Sequence, residues 1–419
     1  MLRAALSAMR IARLGDFSGK RSAALRPSAF IPSFALALLL ALGLAACTPQ
    51  GDFPSSVEVC GEDAEQTRVA QERPASSEPA SRAFSQQNDV AEAFLNTSPY
   101  DSTDYSTSFM EQFVPTGGQS WDDPAGCSLE IPGAVEAVVS DATAEGDASF
   151  RLEDGKGVVL NLIPGRSYRY RALDAAGRDV EEGELELTGS LRMVALRSVS
   201  NMRDLGGWPC DGGTVAYGKM FRGAAVTTAE SPAADEQDIA TLRSLGIRHE
   251  IDLRNEKECL LEDADSSNDI ISSALGEDVE YARYSVGMYA KGVRLGKGSD
   301  RLYAQALDDL FDHVIAGEPT YFHCAIGADR TGTLACLVEA LLGVSQSDID
   351  KDYELTSLCS ARTRLRIRKE WVRLVEYLQS FGRPTLRDDV LAWADEAGVS
   401  REKINAFRAA AIEGAPEPL

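Results

Sequence analysis

The 419-residue chain is 44% hydrophobic and 26% charged, enough for two ordinary domains and too apolar for a wholly disordered protein. Its 42 Lys and Arg against 65 Asp and Glu give a formal charge of −23, which repels a nucleic-acid backbone, so no nucleic-acid partner is expected.

At the N-terminus, Arg3, Arg10, Arg13, Lys20, Arg21 and Arg26 precede an apolar run over residues 30–46. A basic stretch followed by an apolar one reads as an export signal. The run ends in Leu44-Ala45-Ala46-Cys47, which resembles the lipobox of bacterial lipoproteins. That likeness implies a signal peptide over 1–46, lipidation of Cys47, and a protein tethered outside the cytoplasm in the bacterial cell envelope through a lipid anchor. An uncleaved N-terminal anchor leads to the same compartment.

Residues 47–126 are rich in Ser, Pro, Gln, Asp and Glu, the composition of an acidic, solvated tether. The apolar patches at 90–95 and 109–114 are its two candidates for docking on a folded domain. Six cysteines besides Cys47 and Cys324 permit disulfides outside the cytoplasm but leave their pairing open. Without a CxxC or a Cys/His cluster along the chain, no metal site is read.

Over residues 127–197, short alternating segments such as SYRYRAL and GELELT are separated by Gly- and Asp-containing turns. Period-2 alternation at this spacing predicts a small antiparallel β-sandwich. Leu162-Ile163-Pro164-Gly165-Arg166-Ser167-Tyr168 resembles the tyrosine corner of fibronectin type III modules.

Over residues 198–412 the pattern changes to strands alternating with helices, predicting an α/β domain with a mostly parallel sheet flanked by helices. A buried strand, TYFHC, runs through a Gly-containing turn into the apolar helix TGTLACLVEALLGV. At that junction stands His323-Cys324-Ala325-Ile326-Gly327-Ala328-Asp329-Arg330-Thr331-Gly332. Such a loop can cradle a phosphoryl group. Backbone N–H groups of Ala325, Ile326, Gly327 and Ala328 curl around its oxygens, and the helix N-terminus adds positive potential. Arg330 supplies a planar fork for two oxygens and for transition-state charge. The same field favours Cys324 as thiolate, and the Thr331 hydroxyl can support the sulfur as it leaves. His323 is read as holding the loop through backbone hydrogen bonds.

The segment resembles the signature of cysteine-dependent phosphatases, in particular the bacterial tyrosine phosphatase group. Further likenesses are Asn201-Met202-Arg203-Asp204-Leu205-Gly206-Gly207, Arg222 in GKMFRG, Ile251-Asp252-Leu253-Arg254 with Glu258, and Asp352-Tyr353. The resemblance implies the cysteine-phosphatase fold and attack by Cys324 on a phosphorylated protein or small phosphoester. It implies no cofactor and no metal, and gives Asp329 the part of acid and then base. Asp329 could instead pair with Arg222 or Arg254 as scaffold. Ala328 departs from the lysine of lipid-active members, which lowers the expectation of phosphoinositide activity. A phosphoprotein- or phospholipid-binding surface protein on the same scaffold and a rhodanese-like sulfurtransferase are the alternatives. Dual specificity and oligomeric state stay open.

Overall fold

The computed structural model describes residues 80–85, 88–115, 124–141, 147–227, 234–259, 272–296, 301–359 and 363–419; the expected signal segment and Cys47 lie outside them. All the described residues fall in one compact unit, Glu72–Leu419. It is a mixed α/β structure.

Alternating sequences build the first part. Strands β1 (Ala80–Ser85), β3 (Glu136–Asp141), β4 (Asp147–Arg151), β6 (Ser167–Leu173) and β7 (Asp179–Thr188) form a five-stranded sheet in the order β1-β7-β6-β3-β4, while β2 (Cys127–Glu130) pairs with β5 (Lys156–Val159). On β6, Tyr168, Tyr170 and Ala172 point inward between exposed Ser167, Arg169 and Arg171, and they share a core with Leu129, Val159, Leu185 and Leu187. The Tyr168 hydroxyl accepts from the Ile163 N–H at 2.9 Å and pins the corner. Two boundaries differ from expectation. Strand β1 comes from the stretch read as tether and joins β7 in parallel, and Leu191 and Met193, placed in the β-unit by alternation, lie in the core of the following domain.

The tether reading fails for a longer stretch. Helix α1 (Asp89–Leu95) and the turn at 109–112 bury Phe94 and Met110 in the large core. Between them the chain is clamped by Arg366, fully buried, which donates to the carbonyls of Asp101 and Asp104 at 2.8 Å and to Asp350 at 2.9 Å. Its guanidinium also stacks over Tyr100 and Tyr105. Composition averages hid a few anchor residues, each with a buried partner more than 240 residues away.

In the second part, β8 (Arg203–Asp204) precedes a small ribbon of β9 (Pro209–Cys210) and β10 (Gly213–Val215). Then come β11 (Met220–Gly223), α2 (Glu236–Ser244), β12 (His249–Asp252), α3 (Glu256–Cys259), β13 (Glu280–Arg283), α4 (Tyr289–Val293), α5 (Leu302–Ile315), β14 (Thr320–His323), α6 (Asp329–Leu342), α7 (Gln346–Leu355), α8 (Lys369–Gln379), α9 (Leu386–Ala397), α10 (Arg401–Ala411) and β15 (Ile412–Gly414). The sheet order is β13-β12-β14-β11-β8, with the first four strands parallel and β8 antiparallel at the edge. All four residues of β14 are buried, as a strand covered on both faces requires. Helix α6 follows it through the core, buried along almost its whole length, and stops at Gly343, whose φ of +87° closes the last turn. Among the described residues, Cys127, Cys210, Cys259, Cys324 and Cys336 are free thiols.

Candidate active site

Strand β14 delivers the chain to Cys324, 1% exposed, and α6 begins five residues later. The turn between them must curl tightly, and Gly327 allows it with a φ of +66°. A Cβ there would stand 2.4 Å from the backbone of Gly223, so the position also needs the close approach. Burial alone would push the Cys324 thiol up. The Thr331 hydroxyl and N–H, the Arg330 charge and the Ile326 N–H outweigh it and hold the thiol below its ordinary value. The Thr331 hydroxyl is buried with no other hydrogen-bond partner. Ala325 and Ile326 lie at the open side of the loop, and the Ala328 methyl is fully buried.

The loop is held from beneath by residues far apart in sequence. Asn201 donates to the Gly327 carbonyl at 2.9 Å and the Ile326 carbonyl at 3.2 Å. Arg222 donates to the same Gly327 carbonyl at 3.0 Å. Arg203 bonds Asn201 at 2.6 Å and Asp352 at 2.8 Å, and Asp352 accepts from Arg222 as well. With the loop carbonyls occupied below, the N–H groups of the curl are left for an anion above. Asp204 organises the opening motif, accepting from Arg192 at 3.1 Å and from the N–H groups of Gly206 and Gly218.

Arg330 is aimed by Glu258, which accepts both terminal nitrogens at 2.6 and 2.7 Å. Its Nε is buried and makes no hydrogen bond. Glu258 therefore positions the guanidinium. The two arginines weighed as scaffold partners for Asp329 are engaged elsewhere: Arg222 with Asp352 and Arg254 with Asp252. Asp329 is instead gripped by Arg364 through a two-pronged pair at 2.7 and 2.8 Å and by the Tyr289 hydroxyl. Burial pushes this carboxyl up, but Arg364, Tyr289 and the Arg368 charge hold it below its ordinary value. His323 bonds not the loop backbone but the Glu250 carboxylate, at 2.8 Å. Burial works against its charged ring, yet Asp252 and Glu250 raise its pKa.

The sequence model described as the Tyrosine phosphatase family matches residues 194–413, more than half of the chain. The chain belongs to the tyrosine phosphatase family. A Cupriavidus necator protein named as a candidate tyrosine-protein phosphatase is 30% identical over 173 residues, which are 38% of this chain and 61% of that relative; the chain thus spans about three fifths of its length. Among solved structures, the crystal structure of DUSP15 is similar at 16% identity and a TM-score of 0.27, over 45% of this chain and 99% of that one.

In this member of the family, two residues at the site went unread in the sequence, and only Tyr289 carries no local signal. Tyr289 sits at a φ of +50° and hydrogen-bonds both Asp329 and, at 2.7 Å, the Tyr353 hydroxyl. Arg364 belongs to the alternating basic run over residues 362–369, conspicuous in so acidic a chain. That run was the available clue. Beside Asp329 opens a groove of about 570 Å³, walled by Lys291, Arg294, Arg364, Arg368 and Arg373 with Glu370 among them. It concentrates positive charge next to the phosphate cradle.

Proposed function

We propose that the protein is a phosphomonoester hydrolase of the protein-tyrosine phosphatase type, acting through a phosphocysteine intermediate with no metal in the reaction. The observation that carries this reading is a buried thiol held below its ordinary pKa at the mouth of α6, with a pre-aimed guanidinium whose Nε is unspent. The Cys324 thiolate attacks phosphorus; the S–P bond forms as the ester P–O bond breaks. The departing oxygen takes a proton from Asp329. Water then attacks phosphorus and returns a proton to Asp329 as the sulfur leaves, supported by the Thr331 hydroxyl. Loop N–H groups and Arg330 carry the equatorial charge throughout.

The basic groove favours a substrate with anionic groups flanking the ester, and we take an acidic phosphopeptide as the substrate class. The test is acid quenching during turnover of a phosphotyrosine peptide with acidic flanks, followed by mass analysis of the Cys324 peptide. A phosphoryl adduct on Cys324 is the expected result. Turnover without it would remove the mechanism, and tight binding without turnover would make the protein a phosphoprotein receptor. A persulfide formed on Cys324 from thiosulfate would make it a sulfurtransferase.

We read the β-unit as an incomplete fibronectin-type-III-like sandwich, supported by the Tyr168 corner, and the chain as a lipoprotein anchored through Cys47. Cys47→Ser is expected to abolish labelling by a fatty-acid probe and release the protein from membranes. Unchanged labelling and fractionation would refute the anchor.

A further inference from the structure

Two of the three histidines of this chain meet away from the catalytic loop. Because β12, β13 and β14 run parallel and in register, His249, Glu280 and Thr320 stand side by side at the N-terminal edge of the sheet. Cys324 lies at the opposite edge; His249 is three residues, about 10 Å, from the row that pairs Asp252 with His323. Helix α5 covers this N-terminal edge and presents Asp309 and His313, four residues apart on one face.

The geometry is that of ligands around a common point. His249 Nε2 lies 3.2 Å from Asp309 Oδ2, and His313 Nε2 lies 3.7 Å from Asp309 Oδ1 and 3.8 Å from Glu280 Oε2. The donor atoms of His249, Asp309 and His313 all fall within 4.8 Å of one another. A tetrahedral ion with bonds of about 2.0–2.1 Å holds its ligand atoms about 3.3 Å apart. His249 is fully buried, yet neither its Nε2 nor Asp309 Oδ2 makes a hydrogen bond despite their proximity. Orphaned buried donors and acceptors are costly unless something else completes them.

The outer contacts suit the same reading. A ligating imidazole usually has its other nitrogen bound to an oxygen that fixes the ring. His313 Nδ1 meets Glu318 at 2.6 Å, and His249 Nδ1 meets the Thr320 hydroxyl at 3.5 Å. The rings stack with centroids 3.6 Å apart and planes 15° apart, so one of them turns about its side-chain torsions to bring its in-plane lone pair onto a shared ion. Asp309 also borders a cleft of about 490 Å³, through which its carboxylate is reached from solvent; the neighbouring Asp308 and Asp312 are paired with Lys403 at 2.8 and 2.9 Å. Two imidazoles and one carboxylate favour zinc-class ions over magnesium or calcium.

We propose that His249, Asp309 and His313 form a zinc-class divalent metal site that fastens α5 to the N-terminal edge of the catalytic sheet. Glu280 or water completes the coordination. The ion is a structural staple, separate from the phosphoryl chemistry. The sequence concealed it because the ligands come from elements about sixty residues apart.

The test uses the full chain, stripped with chelator, dialysed and titrated with Co²⁺. One equivalent is expected to give the visible absorption of four-coordinate cobalt without a thiolate band, and Zn²⁺ to displace it. Asp309→Asn and His313→Gln should each weaken binding by about 100-fold or more, and the half-exposed Glu318→Gln by about 10–100-fold. Zn²⁺ at 100-fold excess over its Kd should raise the wild-type Tm by about 4 °C and leave that of Asp309→Asn unchanged. The proposal is overturned by folded wild-type protein that binds no stoichiometric cobalt, by a thiolate-to-cobalt band, by variants that bind like wild type, or by preference for Mg²⁺ or Ca²⁺.

Discussion

Replacing Cys324 by serine is expected to lower turnover of a phosphotyrosine peptide by about 10⁴-fold or more while the peptide stays bound. The reason lies in how the work is divided. The sulfur supplies the electron pair, whereas binding comes from the loop N–H groups, which are held open by Asn201 and Arg222 pulling on the loop carbonyls beneath. A serine hydroxyl at this position keeps the cradle and lacks the low-pKa nucleophile that Thr331 and Arg330 create. Arg330→Ala divides differently. It removes a fork that Glu258 aims into the same space, leaves that carboxylate without its cation, and withdraws charge from both bound ester and transition state. Turnover should fall by about 10³-fold or more, and peptide affinity should fall with it. Calorimetry of peptide binding beside steady-state kinetics separates the two. A serine variant that still hydrolyses, or one that no longer binds while Arg330→Ala does, would break the assignment.

The parts legible in the sequence were those whose signal is local. The Cys324 loop could be read because strand, glycine turn and apolar helix are contiguous, and each residue type has one physical reason to be there. The motifs at Asn201, Arg222, Glu258 and Asp352 were legible as likenesses, but their purpose was not. Nothing in sequence tells that Glu258 aims Arg330 or that Asn201 and Arg222 share the Gly327 carbonyl. Where burial is made by a few anchors in a polar stretch, composition points the wrong way, as it did for the chain clamped by Arg366; the apolar patches holding Phe94 and Met110 were legible as docking candidates. The Asp329 partners were missed for a related reason: Tyr289 and Arg364 lie on separate connections that meet only when the sheet is assembled. Alternation along 191–196 was real, yet it could not say which of two adjoining cores the residues enter.

Asp329→Asn is expected to cut hydrolysis of phosphotyrosine and alkyl phosphates by about 10²-fold or more, and hydrolysis of a nitrophenyl ester by less than about tenfold. The good leaving group departs without a proton, so only the poor ones reveal an acid. In the unliganded site the carboxyl is held ionised by Arg364 and Tyr289, the wrong state for an acid. A phosphate dianion in the cradle reverses the balance, because a like charge close by favours the protonated carboxyl and draws Arg364 toward the ester. Binding and protonation are then linked: if Asp329 is the acid, kcat on the poor leaving group falls as pH rises through its pKa in the complex. That alkaline limb should disappear in Asp329→Asn. Equal losses on both esters, with the limb unchanged, would reduce Asp329 to a strut that positions Arg364 and Tyr289 at the wall of the basic groove.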